Sequence, residues 1–181
     1  MPLTLWAVVA KTTVVHTVTY FAMGLVAMGL FHYSREFAEP HLAAIMRPTT
    51  DPLVRIGVWF QPIRGALFGL VFYLLRDVVF QQALGWLILW ATLVVIGIVS
   101  TFGPARGSIE GLIYTKHAFQ GLWGGMIEVL AQSFLLAALT FAWVNHPSMA
   151  WLTWTLVGLF AIALILPALG LLASQRTPED K

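Results

Sequence analysis

Two charged side chains lie inside long apolar stretches of this sequence and are its first candidates for chemistry. Arg64 belongs to GVWFQPIRGALFGLVFYLL, which begins at Gly57, and Glu128 belongs to GLWGGMIEVLAQSFLLAALTFAWV, which begins at Gly121. A charge inside a membrane span is costly unless it is paired or hydrated. Each charge lies seven residues after the first glycine of its stretch, so similar depths along two helices predict an Arg64–Glu128 ion pair.

Polar and aromatic side chains at helical spacing complete a predicted polar site around this pair. Its members are Arg64, Glu128, Gln61, Gln132, His16, Tyr20, Trp59 and Trp123. A helix turns about 100° per residue, so Gln132 shares the face of Glu128, and Gln61 shares the face of Arg64. The functional interpretation is a pocket for a ligand, an ion or a lipid headgroup. The structural alternative is an ion pair that only locks two helices together.

Small residues accompany Glu128 on its face of the helix. Gly121 and Gly125 are expected at a close helix contact, because small residues let two helices approach each other. The stretch 121–144 is therefore predicted to be the central helix of the protein. His16 has two interpretations: a ligand or proton carrier inside the bundle, or a histidine at the membrane interface near the end of its helix.

The composition places the chain among integral membrane proteins. Of its 181 residues, 59% are hydrophobic and 10% are charged, whereas soluble domains carry roughly a quarter charged residues. The absence of cysteine excludes disulfides, cysteine nucleophiles, iron–sulfur clusters and covalently attached c-type haem. The net charge of +2 is small and scattered, so it does not indicate a nucleic-acid partner.

Apolar stretches of membrane-crossing length predict an all-α protein with five transmembrane helices in a compact bundle. About 20 apolar residues are needed to cross the hydrocarbon core. The predicted spans cover residues 12–32, 57–80, 83–102, 121–144 and 149–173, within a single polytopic domain, 1–181. The fifth span has no ionisable residue in its interior, so we expect it at the rim of the bundle.

Lysine and arginine are distributed unequally between the two sides that five spans define. One side holds Lys11 and Arg76, and the other holds Arg35, Arg47, Arg55, Arg106, Lys116, Arg176 and Lys181. Cytoplasmic loops carry the excess of positive charge. The pattern therefore predicts an external amino terminus and a cytoplasmic carboxyl terminus, in a multi-pass protein of a bacterial inner membrane.

The connections contain short helix signals, and the second span has two alternative starts. Pro40 is typical of the first turn of a short surface helix through Met46, and Ser108 is placed to cap another short helix. If the second span begins at Gly57, Arg64 lies deep in the membrane. If Pro62 is the first helical residue, Arg64 is shallow and extends to the surface.

Other chemistry has little support in the sequence. His16 and His32 lie on one helix but near opposite membrane faces, so neither a metal nor a haem is predicted, and bound lipid is the expected non-protein component. No H-E-x-x-H or G-x-S-x-G motif occurs. The segment FQPIRGALFGLVFYLL resembles the proline-containing second span of the tryptophan-rich sensory, translocator-type membrane proteins. That family's paired prolines beside tryptophan and its Asn-Trp pattern are absent, so its function is not carried over.

Three functional hypotheses follow from these observations. The first is binding or transport of a small molecule, an ion or a lipid at a cytoplasm-side Arg/Glu site. The second is a non-catalytic accessory or structural subunit of a larger membrane complex, which packs its polar stripe against a partner subunit or a second copy. The third is a lipid-modifying enzyme that uses Glu128 and a loop histidine.

Overall fold

The chain folds as a bundle of helices in the computed structural model, which describes residues 3–31, 40–43, 46–116 and 122–176. The helices are α1 Leu5–Phe31, α2 Pro40–Ala43, α3 Pro52–Arg55, α4 Gln61–Leu74, α5 Arg76–Val79, α6 Gly85–Val94, α7 Ile109–Tyr114, α8 Leu122–Asn145 and α9 Ala150–Arg176. A 3-10 turn, Gly57–Phe60, leads into α4, and a π-helical segment, Val95–Val99, extends α6. Gly121, His32 and the side chain of Trp123 lie outside the described residues.

Three helices are long and apolar enough to cross a membrane: Leu5–Phe31, Gly125–Asn145 and Ala150–Leu172. The predicted all-helical class is therefore confirmed for the described part of the chain. The second and third predicted spans correspond to α4 and α6, which are shorter. The first helix begins before the predicted Thr12, so Lys11 lies within it. Its Nζ donates to the Trp143 carbonyl at 2.7 Å, which gives the ammonium a polar partner inside the bundle.

The central helix of the bundle is α1, which packs against α4, α8 and α9. The prediction that the helix of residues 121–144 is central is therefore wrong. Two threonines fit the packed α1 because their hydroxyls bond to carbonyls of the same helix: Thr13 to Val9 at 2.8 Å and Thr17 to Thr13 at 2.9 Å. Such side chains present only methyl groups to their neighbours.

The closest helix contact joins α1 to α4 through two glycines. A Cβ built on Gly65 would lie 2.7 Å from the Thr13 Cα, and one built on Gly69 would lie 2.6 Å from the Val9 Cα. A side chain at either position would therefore collide with the backbone of α1. At Gly125, by contrast, a Cβ would meet nothing within 4 Å, so the close contact expected there is wrong.

Paired residues show that two pairs of neighbouring helices run in opposite directions. Gly65 lies against Thr13 and Gly69 against Val9, so α4 is antiparallel to α1. The Trp90 ring lies 5.6 Å from Phe134, and Gly85 lies against Phe141, so α6 is antiparallel to α8.

Lys11, near the start of α1, bonds to the Trp143 carbonyl near the end of α8, so α8 is antiparallel to α1, and the connections before α4 and after α6 share one end of the bundle. We call this end, which holds Phe31, Gly57 and Thr101, the loop end. The last long helix, α9, lies at the rim, as predicted. Of the most apolar stretch of α9, 11% is buried, against 33% for the corresponding stretch of α1.

Candidate functional site

A cavity of about 800 Å³ opens at the loop end of the bundle. We call it the larger cavity. Its polar lining consists of Tyr20, Thr49, Arg55, Arg106 and Glu128, and its apolar lining includes Phe21, Leu25, Met28, Val58, Pro167 and Leu171. Charged groups and a broad apolar wall thus share one space, as in a site for an amphiphilic molecule.

Glycines make room for this cavity on three helices. Gly24, Gly125 and Gly170 line it, and a Cβ built on any of them would meet nothing within 4 Å. Gly125 lies about one turn before Glu128 on α8, so the missing side chain leaves open space beside the carboxyl group. The small residue on this face therefore opens a cavity and does not bring two helices together.

Arg55 reaches the larger cavity from the last turn of α3, whose start is capped. The Leu53 N–H donates to Asp51 Oδ1 at 2.8 Å, and Arg47 Nη1 lies 3.0 Å from Asp51 Oδ2. The Leu53 hydrogen bond and then the Arg47 guanidinium hold the pKa of Asp51 below its usual value. The ionised cap fixes the start of α3 and so the direction from which Arg55 approaches.

Arg106 comes from a tight loop before α7. Gly107 adopts a positive φ of 81°, which favours glycine. The Ser108 side chain accepts from the Gly111 N–H at 2.9 Å, so the predicted cap is confirmed. The same hydroxyl donates to the Ala105 carbonyl at 2.7 Å, and these two bonds hold the loop in shape next to the cavity.

Arg55 and Arg106 were not among the predicted site residues. Both belong to connections, where helical periodicity gives no information about which face a side chain takes. The available indication was the run of arginine, glycine and serine in GPARGS, on the side of the chain that is rich in positive charge.

Arg64 lines a different and smaller cavity of about 280 Å³, together with His16, Phe68, Gln132 and Ser133. We call it the smaller cavity. The guanidinium lies 5.5 Å from the centre of the Phe68 ring, and the salt bridges among described residues are Arg47–Asp51 and Arg76–Asp77. The predicted Arg64–Glu128 ion pair is therefore wrong.

The position of α1 explains why matching depths did not bring the two charges together. Both α4 and α8 pack against α1, so their polar faces meet that helix before they meet each other. Tyr20 of α1 interacts electrostatically with both Glu128 and Arg64. Equal depth fixes the height of a side chain in a bundle but leaves its lateral position open.

His16 is buried near the middle of α1, with 1% of its surface exposed. Its interpretation as an interfacial residue is wrong, because α1 begins eleven residues earlier, at Leu5. Gln61 Nε2 donates to the Gly57 carbonyl at 3.1 Å, so its Oε1 is the group that faces His16 Nε2, also at 3.1 Å. This arrangement assigns the proton to Nε2, and Nδ1 has no partner among the described atoms.

Trp59 has a structural contact. Its indole Nε1 donates to the Leu164 carbonyl at 3.0 Å. Pro167 lies inside α9 and lacks the N–H that would bond to the carbonyl of Ala163. The indole thus supplies a donor beside the gap in the α9 hydrogen-bond ladder and joins the 3-10 turn to that helix.

The structure therefore divides the predicted site into two parts. His16, Arg64 and Gln132 line the smaller cavity, with Gln61 bonded to His16, whereas Tyr20 and Glu128 line the larger one. Across the described ranges, no three histidine, aspartate or glutamate side chains gather as metal ligands would. No family model, curated protein or solved structure matches this chain.

Proposed function

We propose that the chain is a five-span membrane protein of a bacterial inner membrane that binds an anionic amphiphile in the larger cavity. The observation that carries this proposal is the joint lining of one space by two arginines and an apolar wall. Its volume of about 800 Å³ is within the range of roughly 300–1,000 Å³ typical of small-molecule sites.

The charges of the lining favour an anionic headgroup. Arg55 and Arg106 supply two guanidinium groups, and Glu128 supplies one carboxyl group. Guanidinium groups bind carboxylate and phosphate oxygens through paired hydrogen bonds. The hydroxyls of Tyr20 and Thr49 add further hydrogen-bonding groups. For a headgroup with one carboxylate or phosphate, attraction to the two arginines thus exceeds repulsion by the Glu128 carboxylate.

The apolar part of the lining supports an attached hydrocarbon chain. Phe21, Leu25 and Met28 follow one another along α1 away from Tyr20, and Leu171 faces them from α9. Burying a chain against these side chains gains about 0.8 kcal/mol for each methylene removed from water. A ligand with its head at the arginines and its chain along α1 uses both kinds of surface.

Helix direction and length support the five proposed spans. Gly57–Leu74 rises about 29 Å if the 3-10 turn contributes about 2 Å per residue and the α-helix about 1.5 Å, close to the roughly 30 Å hydrocarbon core. Gly85–Val99 rises about 22 Å, and local thinning of the bilayer accommodates such a mismatch. The antiparallel pairing of α4 with α1 and of α6 with α8 supports one crossing for each of the five helical segments.

Orientation is tested by reporter fusions. A reporter that is active only in the cytoplasm, fused after Lys181, should be active, because lysine and arginine are concentrated at the loop end. The same reporter fused in the 145–149 connection should be inactive. Cytoplasmic activity at both sites would contradict five crossings, and reversed activities would contradict the orientation.

Binding is tested with the full-length protein in lipid nanodiscs and a fluorescent long-chain carboxylate. Arg106→Gln should weaken binding roughly tenfold or more, because a hydrogen bond to a charged group contributes about 1.5–3 kcal/mol. Arg55 is more exposed, so Arg55→Gln should have a smaller effect. Arg76→Gln, at the opposite end of α4, is the matched control and should bind as wild type does.

Two further comparisons separate the headgroup from the chain. A monoacyl phosphate should bind as well as the carboxylate, whereas the neutral methyl ester of the same chain should bind more weakly. Gly125→Leu should reduce binding without loss of thermal stability, because the new side chain enters open cavity space. Equal binding of the ester, or equal binding by Arg106→Gln and wild type, would contradict an anionic headgroup at this site.

A further inference from the structure

We infer that the smaller cavity binds a small monovalent anion, of halide or nitrate size, through Arg64. This site is separate from the larger cavity and does not depend on the function proposed for it. Arg64 lies level with the middle of α1, because its neighbour Gly65 packs against Thr13 and His16.

The first support is the uncompensated charge. Arg64 forms no salt bridge within the described part of the chain, and its guanidinium lies over the ring of Phe68. An aromatic ring offsets only part of the charge of a guanidinium. A cation on a membrane-crossing helix is costly unless it is paired or hydrated, and no carboxylate lines this cavity. A bound anion supplies the missing charge.

The second support is the chemistry of the other lining groups. Gln132 lines the cavity and has no hydrogen bond to any described residue, so its amide N–H groups are available as donors. The Ser133 hydroxyl donates to the Leu130 carbonyl at 2.9 Å, and the His16 Nε2–H is used by Gln61. The guanidinium of Arg64 and the free amide N–H groups of Gln132 can together bind one monovalent anion.

The third support is size. A cavity of about 280 Å³ holds an ion together with a few waters, each of which takes about 30 Å³. It is too small for the head and chain of an amphiphile. Arg64 lines the cavity and is exposed, so an ion can reach its guanidinium.

The test measures thermal unfolding of the full-length protein in detergent, with sodium bromide or sodium gluconate at equal ionic strength. Bromide should raise the Tm by about 3–6 °C at ten times its Kd, whereas the larger, hydroxylated gluconate should raise it less. The shift should disappear in Arg64→Gln and persist in Arg55→Gln, which alters only the larger cavity. No shift in wild type, or an equal shift in Arg64→Gln, would overturn the inference.

A second measurement covers the case in which Arg64→Gln does not fold. Gln132→Leu removes the uncommitted amide and leaves Arg64 in place, so its bromide shift should be smaller than that of wild type. Crystals soaked in bromide should show anomalous scattering beside the Arg64 guanidinium. Bromide found elsewhere, or an unchanged shift in Gln132→Leu, would count against this site.

Discussion

Replacing Gly65 or Gly69 by alanine should destabilise the bundle by about 1–3 kcal/mol, the usual cost of overpacking. The added methyl groups would lie 2.7 Å from the Thr13 Cα and 2.6 Å from the Val9 Cα. Backbone atoms cannot rotate away as a flexible side chain can, so α1 and α4 must separate. Thermal unfolding in one detergent, followed by circular dichroism, measures the loss. Leucine at either position should cost more than alanine.

The matched control is Gly24→Ala on α1. It makes the same chemical change within a helix, but the new methyl group meets nothing within 4 Å. Alanine loses less conformational entropy than glycine in a helix, so the control should gain up to about 1 kcal/mol. Gly24→Ala should therefore raise the free energy of unfolding, whereas Gly65→Ala should lower it. Similar effects at Gly24 and Gly65 would show that α1 and α4 are not in close contact.

The same glycine spacing has different consequences in two parts of this sequence, which limits prediction from pattern alone. GALFG at residues 65–69 and GLWGG at residues 121–125 both place glycines four residues apart. The first pair packs on the backbone of α1, whereas Gly125 of the second lines a cavity. Spacing identifies a face of small residues, but the shape of the neighbouring helix decides whether that face is filled.

Features that depend on local chemistry or composition could be predicted from the sequence. The helical class follows from apolar length, the Ser108 cap from side-chain hydrogen bonding, and the rim position of α9 from its lack of polar residues. The central position of α1 could not be predicted. Thr13, Thr17 and Thr19 appear polar in the sequence, but their hydroxyls bond to their own helix, so α1 can be buried on several faces.

The candidate site was predictable in its residue types but not in its grouping. Gln132 and Glu128 share one face of α8, yet they line different cavities, because a side chain four residues along a helix lies about 6 Å higher. Arg55 and Arg106 depend on two short capped helices in the connections. That they line the same cavity as Glu128 depends on the tertiary structure, which helical periodicity does not encode.

Replacing Gln61 by leucine is the second change for which we expect a large effect. Gln61 is buried, accepts from His16 Nε2 and donates to the Gly57 carbonyl. Leucine removes both bonds and leaves the buried His16 N–H without an acceptor. A buried donor that loses its partner costs about 1–3 kcal/mol. The exposed Gln81, which bonds to Asp77 at 2.8 Å, is the matched control, and Gln81→Leu should change stability by less than about 0.5 kcal/mol.

A double-mutant cycle separates the loss of this hydrogen bond from the loss of packing. His16→Leu alone leaves the Gln61 carbonyl oxygen without its donor, whereas the double variant leaves neither group unsatisfied. Replacing both partners by apolar groups of similar size can be nearly neutral, so the double variant should be more stable than the sum of the single effects by about 0.5–3 kcal/mol. Additive losses would show that the two side chains contribute independently. The position of His16 in α1 would then depend on its aromatic contacts, of which the edge of Phe68, at 5.0 Å between ring centres, is the nearest.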